Sequence, residues 1–191
     1  MCDIIAVSNR ALADDFFNQL KKISNVGIPI ILREKDLSES EYEVLARKVT
    51  EDCGNVILHT FIDVAKRLNH RKIHLPMHIL RTAELTGFDI VGASVHSAAE
   101  AVEAQKLGAS YVTAGHIFET DCKKGVSPRG LDFLKSACEA VNIPVYAIGG
   151  ITPENAYLAA DAGASGVCIM SGLMKCNDIN YYINKIRRKN D

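Results

Sequence analysis

The chain has 191 residues, with 48% apolar and 24% charged side chains, the make-up of a globular protein with room for a sizeable core. A formal net charge of −1 and the absence of tryptophan remove the electrostatic and stacking grounds for expecting nucleic acid or an anionic membrane as partner. No apolar run approaches the roughly 20 residues needed to cross a bilayer, no signal peptide is recognised, and the six cysteines stand in no CxxC spacing, so the expectation is a reduced, cytoplasmic protein.

From the first residues onward, short β-branched runs alternate with amphipathic stretches. A strand at 3–8 precedes a helical pattern at 13–23, and a strand at 29–33 precedes one at 41–53. The strand at 55–60 leads to a helix at 62–69, and that at 72–75 to a helix at 78–85. Next come a strand at 90–94 with a helix at 98–107, and a strand at 111–115 with a helix at 131–141. The last two units are 145–149 with 153–162 and 166–171 with 179–188. Thr152 reads as an N-cap ahead of Pro153 at the first helical position, and Gly108 and Gly163 stand where C-cap glycines are wanted. Eight βα units imply parallel strands and right-handed crossovers. They predict an α/β chain forming one (β/α)8 TIM barrel over residues 1–191, rather than an open doubly wound sheet.

Chemistry in such a barrel is expected in the loops after the strands. Gly149 and Gly150 end the seventh strand, and Met170, Ser171 and Gly172 end the eighth. Together they read as a cradle whose main-chain amides hold a phosphate, with Ser171 adding a hydroxyl; singly, each glycine pair reads as a tight turn. Arg33 and Lys35, two apart, share a face if the chain stays extended, either as a clamp for an oxyanion or as part of a solvated charged loop. Ser94 and His96 share a face after the fifth strand, where His96 reads best as structural, bonded to a loop carbonyl. His116, at the end of the sixth strand, is the candidate proton-transfer residue. Lys123 and Lys124 either close over an anion or form a surface pair, and Cys122 has no evident base beside it. His59, His70, His74 and His78 form no metal box, because Leu75-Pro76 breaks the helix that would align the last two.

The segments Val91-Gly92-Ala93-Ser94-Val95-His96, Ala114-Gly115-His116-Ile117-Phe118-Glu119-Thr120, Ala147-Ile148-Gly149-Gly150-Ile151-Thr152-Pro153 and Met170-Ser171-Gly172 resemble the thiamine-phosphate synthase superfamily. The resemblance covers nearly the whole chain and is strongest from residue 90 to 174. It implies a phosphorylated thiazole as ligand and a homodimer as assembly. Arg33, Lys35, Ser94, Thr120, Lys123, Gly149, Gly150, Met170 and Ser171 then become the substrate-binding set. Two enzymatic branches share the barrel. The synthase joins a pyrimidine diphosphate to a thiazole phosphate with Mg2+, whereas the TenI branch is a thiazole tautomerase.

The synthase pattern has a glutamine where this chain has Ile31, acidic metal-binding residues where it has His59-Thr60-Phe61 and Pro76-Met77-His78, and a proline where it has His116. The expectation drawn from these departures is the tautomerase: an isomerase in which His116 removes and returns a proton, with no metal and no cofactor. The alternatives are the synthase, with Mg2+ as its cofactor, and a non-catalytic regulatory barrel.

Overall fold

The computed structural model describes residues 3–121 and 125–187. Eight strands close into one parallel barrel in sequence order: β1 (Asp3–Val7), β2 (Ile30–Leu32), β3 (Val56–His59), β4 (Lys72–Pro76), β5 (Ile90–Val95), β6 (Tyr111–Gly115), β7 (Val145–Ile148) and β8 (Gly166–Ile169). Closure comes from β8 pairing back to β1, with Ala6 opposite Ile169. The helices between them are α1 (Phe16–Asn25), α2 (Glu39–Asp52), α3 (Ile62–Arg67), α4 (Met77–Leu80), α5 (Ala98–Lys106), α6 (Gly130–Ala140) and α7 (Ala156–Asp161), with α8 (Ser171–Lys175) and α9 (Ile179–Arg187) after β8. The expected (β/α)8 barrel is therefore observed.

Strand alternation divides the core in two. Ile30 and Leu32, Val56 and Leu58, Ile73 and Leu75, and Val112 and Ala114 pack outward against the helices. The alternate positions Ile5, Val7, Ile31, Ile57, Tyr111 and Cys168 form a smaller cluster along the barrel axis. One step further along each strand, this inward parity reaches the C-terminal mouth. Arg33 continues from Ile31, His59 from Ile57 and Met170 from Cys168.

Several expected boundaries shift for identifiable local reasons. The eighth strand stops at Ile169, and Ser171 begins the short α8 instead of ending the strand. Thr152 does not cap a helix. Its hydroxyl accepts from the Glu154 amide at 3.2 Å, Asn155 Oδ1 accepts from the Thr152 amide at 2.8 Å, and α7 starts only at Ala156. The 78–85 helix contracts to Met77–Leu80, since Pro76 still belongs to β4. α2 begins two residues early because Ser38 and Glu41 form a reciprocal capping box. Gly108 and Gly163 follow α5 and α7 with φ of +94° and +95°, as expected of C-cap residues.

α2 also fastens two strand ends that carry site residues. The buried Tyr42 hydroxyl donates to the Leu32 carbonyl at 2.6 Å and accepts from the His59 amide at 2.8 Å. Tyr42→Phe leaves a buried carbonyl and a buried amide unpaired. We expect a loss of about 2–3 kcal/mol of unfolding free energy in urea titration, against a change within about 0.5 kcal/mol for the exposed Tyr181→Phe.

Candidate active site

At the mouth, β1 and β2 are joined by a buried polar node. The Ser8 hydroxyl donates to Glu34 Oε1 at 2.6 Å and accepts from the Arg33 amide at 2.8 Å. Glu34 Oε2 accepts from the Arg10 amide at 3.1 Å and pairs with Arg10 Nε at 3.4 Å. Glu34 is 5% exposed, and it takes the outward parity between Arg33 and Lys35, which turns the two cations to the opposite side. Sequence reasoning noticed the clamp candidates and missed the carboxylate that anchors them.

Across the mouth, His59 and His74 stack with ring centroids 5.7 Å apart and planes 16° apart. His74 Nδ1 lies 3.0 Å from the Tyr111 hydroxyl and its Nε2 lies 2.8 Å from the Ser94 hydroxyl, while Thr113 Oγ1 lies 3.4 Å from Ser94 Oγ. His59 Nδ1 is 2.6 Å from Thr60 Oγ1. Gly92 makes the central contact sterically feasible, because a Cβ there would meet the Tyr111 ring and His74 Nδ1 at 2.2–2.3 Å. Burial, then the neighbouring His74, then Arg33 and Lys35 hold the His59 imidazole down to about 2. Burial, followed by Arg33, holds His74 down to about 3. Both rings are thus neutral, and the cations Arg33 and Lys35 stand close enough for their charge to be felt there. The sequence signal for this pair was inward strand parity, which counting metal-ligand spacings along the chain does not reveal.

His116 is 4% exposed. Its Nε2 donates to the Val126 carbonyl at 3.2 Å, and its buried Nδ1 has no partner among the described residues. His116 packs against Gly149, where a Cβ would come within 2.2 Å of the histidine Cβ, and a Cβ at Gly150 would meet the Glu119 carbonyl at 2.3 Å. The two glycines, with φ of +98° and +67°, let the β6 and β7 loops touch. Their own amides make no hydrogen bond among the described residues. Ser94 and Thr120 are half-buried, Ser171 is exposed, and Met170 packs on the axial cluster with the Asn9 side-chain amide 4.0 Å from its sulfur. His96 binds a main-chain carbonyl at 2.7 Å, as expected, though it is that of Gly115 at the end of β6 and not one in a loop. Cys122, Lys123 and Lys124 lie outside the described residues. A cavity of about 470 Å³, lined by Ile57, Tyr111 and Tyr146 among others, opens at the opposite end of the barrel. Barrels of this kind place chemistry at the strand C-termini, so the mouth is the candidate site.

Magnesium, implied by one branch of the resemblance, does not fit the residues present. It wants carboxylate and water oxygens, yet β3 and β4 end in His59-Thr60-Phe61 and Pro76-Met77-His78. Both oxygens of the nearby Glu34 are engaged, one by Ser8 and the other by Arg10. No group of three or more His, Cys, Asp or Glu side chains among the described residues is arranged for a metal.

Fold and site define a (β/α)8 barrel with cations and neutral imidazoles around its C-terminal mouth. The chain belongs to the thiamine monophosphate synthase family, whose model matches residues 4–173. It is 33% identical over 174 residues to a thiamine-phosphate synthase of Clostridium acetobutylicum, covering 86% of this chain and 82% of the relative. It is 31% identical to one of Fusobacterium nucleatum, covering 97% and 95% respectively. Among solved structures, thiamine phosphate pyrophosphorylase from Pyrococcus furiosus superposes with a TM-score of 0.81 at 28% identity, covering 97% of this chain and 94% of that one. These relatives overturn the tautomerase expectation: the similarity runs to synthases over nearly the full chain, and the isomerase assignment to His116 is withdrawn. Among the described residues, no helix is long and apolar enough to cross a membrane.

The imidazole pair makes stability depend on pH with a definite sign. Folded His59 and His74 stay neutral down to about 2 and about 3, whereas in the unfolded chain they take up protons below about 6.5. Their contribution is complete above about pH 6.5 and declines as pH falls toward those folded values, by up to about 1.4 kcal/mol per unit for each ring. Urea unfolding between about pH 6.5 and 5 is expected to show a shallower slope for His59→Gln than for wild type, by about 1 kcal/mol per unit. Parallel slopes would mean that His59 is protonated in the fold.

Proposed function

We propose that the chain is a transferase of the thiamine-phosphate synthase type, joining a pyrimidine diphosphate to a thiazole phosphate with release of diphosphate. The observation that carries the reading is the near full-length similarity to synthases, together with Arg33 and Lys35 at the mouth on one strand parity. In this reading Arg33 and Lys35 receive the diphosphate. A guanidinium and an ammonium stabilise the charge that grows on a departing diphosphate more than they stabilise the bound ester, which is the condition for lowering the barrier.

The thiazole phosphate is assigned to the amides of Gly149 and Gly150 with Ser171, since these positive-φ glycines close the β6–β7 loop contact and their amides bond to no backbone carbonyl among the described residues. Ser94, tied to His74, offers a hydroxyl between the two anion sites. Orientation of two bound reactants in one mouth is itself worth several kcal/mol of barrier. His116 packs under Gly149, with its Nε2 bonded to the Val126 carbonyl. Thr120 and Met170 complete the proposed substrate contacts.

Purified protein given both substrates is expected to form thiamine phosphate and diphosphate in equal amounts. Arg33→Ala is expected to lower kcat/KM on the order of 10- to 100-fold, as befits loss of a charge-assisted contact. No product from wild type, with or without added Mg2+, would refute the assignment.

A further inference from the structure

Resting on the proposed synthase reading, we propose that this chain binds the diphosphate of its substrate without a divalent metal, Arg33 and Lys35 supplying the charge. Three independent features of the mouth lead there.

The first is the donor set. The ends of β3 and β4 present imidazole, hydroxyl and thioether groups, and hard magnesium is poorly served by them. The second is prior engagement. Both ring nitrogens of His74 are within hydrogen-bond distance of hydroxyls, Tyr111 at 3.0 Å and Ser94 at 2.8 Å, and His59 Nδ1 is bonded to Thr60. A metal ligated by His74 would have to break this stacked network, which Gly92 accommodates with no room to spare. Glu34, the buried carboxylate beside the clamp, is likewise committed on both oxygens, to Ser8 and to Arg10.

The third feature is the local field. Burial is the main reason both rings stay neutral, and the positive charges of Arg33 and Lys35 near His59, and of Arg33 near His74, add repulsion to it. A dication placed there would meet twice the repulsion that a proton meets, whereas a diphosphate is drawn in. The Ser8–Glu34–Arg10 node fixes the main chain beneath Arg33, since the Ser8 hydroxyl accepts from the Arg33 amide. The main chain that carries Arg33 is therefore held by the fold itself, through the Ser8 hydroxyl.

Isothermal titration of the full chain with inorganic pyrophosphate, once in EDTA and once in excess Mg2+, tests this without reference to turnover. Pyrophosphate is expected to bind in EDTA at least as tightly as in Mg2+. Arg33→Ala and Lys35→Ala are each expected to weaken the EDTA binding on the order of 10-fold or more. Circular dichroism would establish that the variants fold, and the exposed Lys106→Ala serves as a control with unchanged affinity. Binding that appears only with Mg2+, or is about 10-fold tighter with it, overturns the proposal, as does failure to bind in either condition. Mn2+ alone titrating stoichiometrically to the wild-type chain would overturn it as well. Metal-independent pyrophosphate binding in a protein that makes no thiamine phosphate would instead refute the synthase reading and leave the anion site standing.

Discussion

Closing an eight-stranded parallel sheet on itself is the constraint from which the site follows. In a closed barrel each strand has one face toward the axis, and residues of the same parity on successive strands converge as they approach the mouth. Ile57 and His59, Ile31 and Arg33, and Cys168 and Met170 are pairs of this kind: the first residue fills the axis and the second reaches the rim. A shift of one residue in any strand would exchange its apolar and polar sets, turning Arg33 into the helix layer and Leu32 into the mouth. The β1–β8 and β1–β2 registers that close the barrel thereby also hold the Ser8 hydroxyl against Glu34, and Glu34 against the Arg10 amide.

The architecture was legible in the sequence because period-two and period-3.6 patterns alternate without interruption, so that even inexact boundaries left the order of elements intact. Boundaries failed where side chains compete with the backbone. The Thr152 hydroxyl and the Asn155 carbonyl oxygen close a turn that delays α7, and Ser38 with Glu41 starts α2 early. The site was legible only in part. Arg33, Ser94 and His116 carry recognisable chemistry at strand ends, and their positions at the mouth follow from the barrel. The His74–Tyr111–Ser94 chain was not legible, since its members are separated by 20 and 37 residues and meet only across the barrel. The spacing of His74 from His78 bears only on a helix, whereas His74 lies on β4.

The functional expectation failed for a different reason. Loss of two acidic positions and gain of one histidine were weighted above the rest of the chain, as though a reaction were defined by its metal ligands alone. The structure suggests why those substitutions are weak discriminators. His116 is enclosed, with one nitrogen bonded to a carbonyl and its Cβ pressed on Gly149, which gives it a packing role in shaping the β6–β7 loop contact. A histidine at a strand end is therefore compatible with more than one chemistry, while the similarity to synthases runs over nearly the whole chain.

What the imidazole pair does for the protein can be reasoned from cost. Two polar rings placed where apolar side chains would pack must each be hydrogen-bonded, or the fold loses the desolvation free energy of every unpaired nitrogen. His74 meets that requirement with Tyr111 and Ser94, and His59 begins to meet it with Thr60, a non-glycine residue that accepts a φ of 71° at the strand end. A β-branched residue in the left-handed region is itself unfavourable, by about 1–3 kcal/mol. An inward-facing leucine in place of His74 would avoid the desolvation cost, but it would leave the Ser94 and Tyr111 hydroxyls without their partner and the mouth without a polar wall opposite Arg33. The arrangement is thus one in which stability is given up at the rim to keep a neutral, hydrogen-bonded surface facing two fixed positive charges. A neutral polar wall adds no charge of its own opposite Arg33 and Lys35, and a preorganised positive field of that kind is the electrostatic condition a diphosphate needs at the moment it departs.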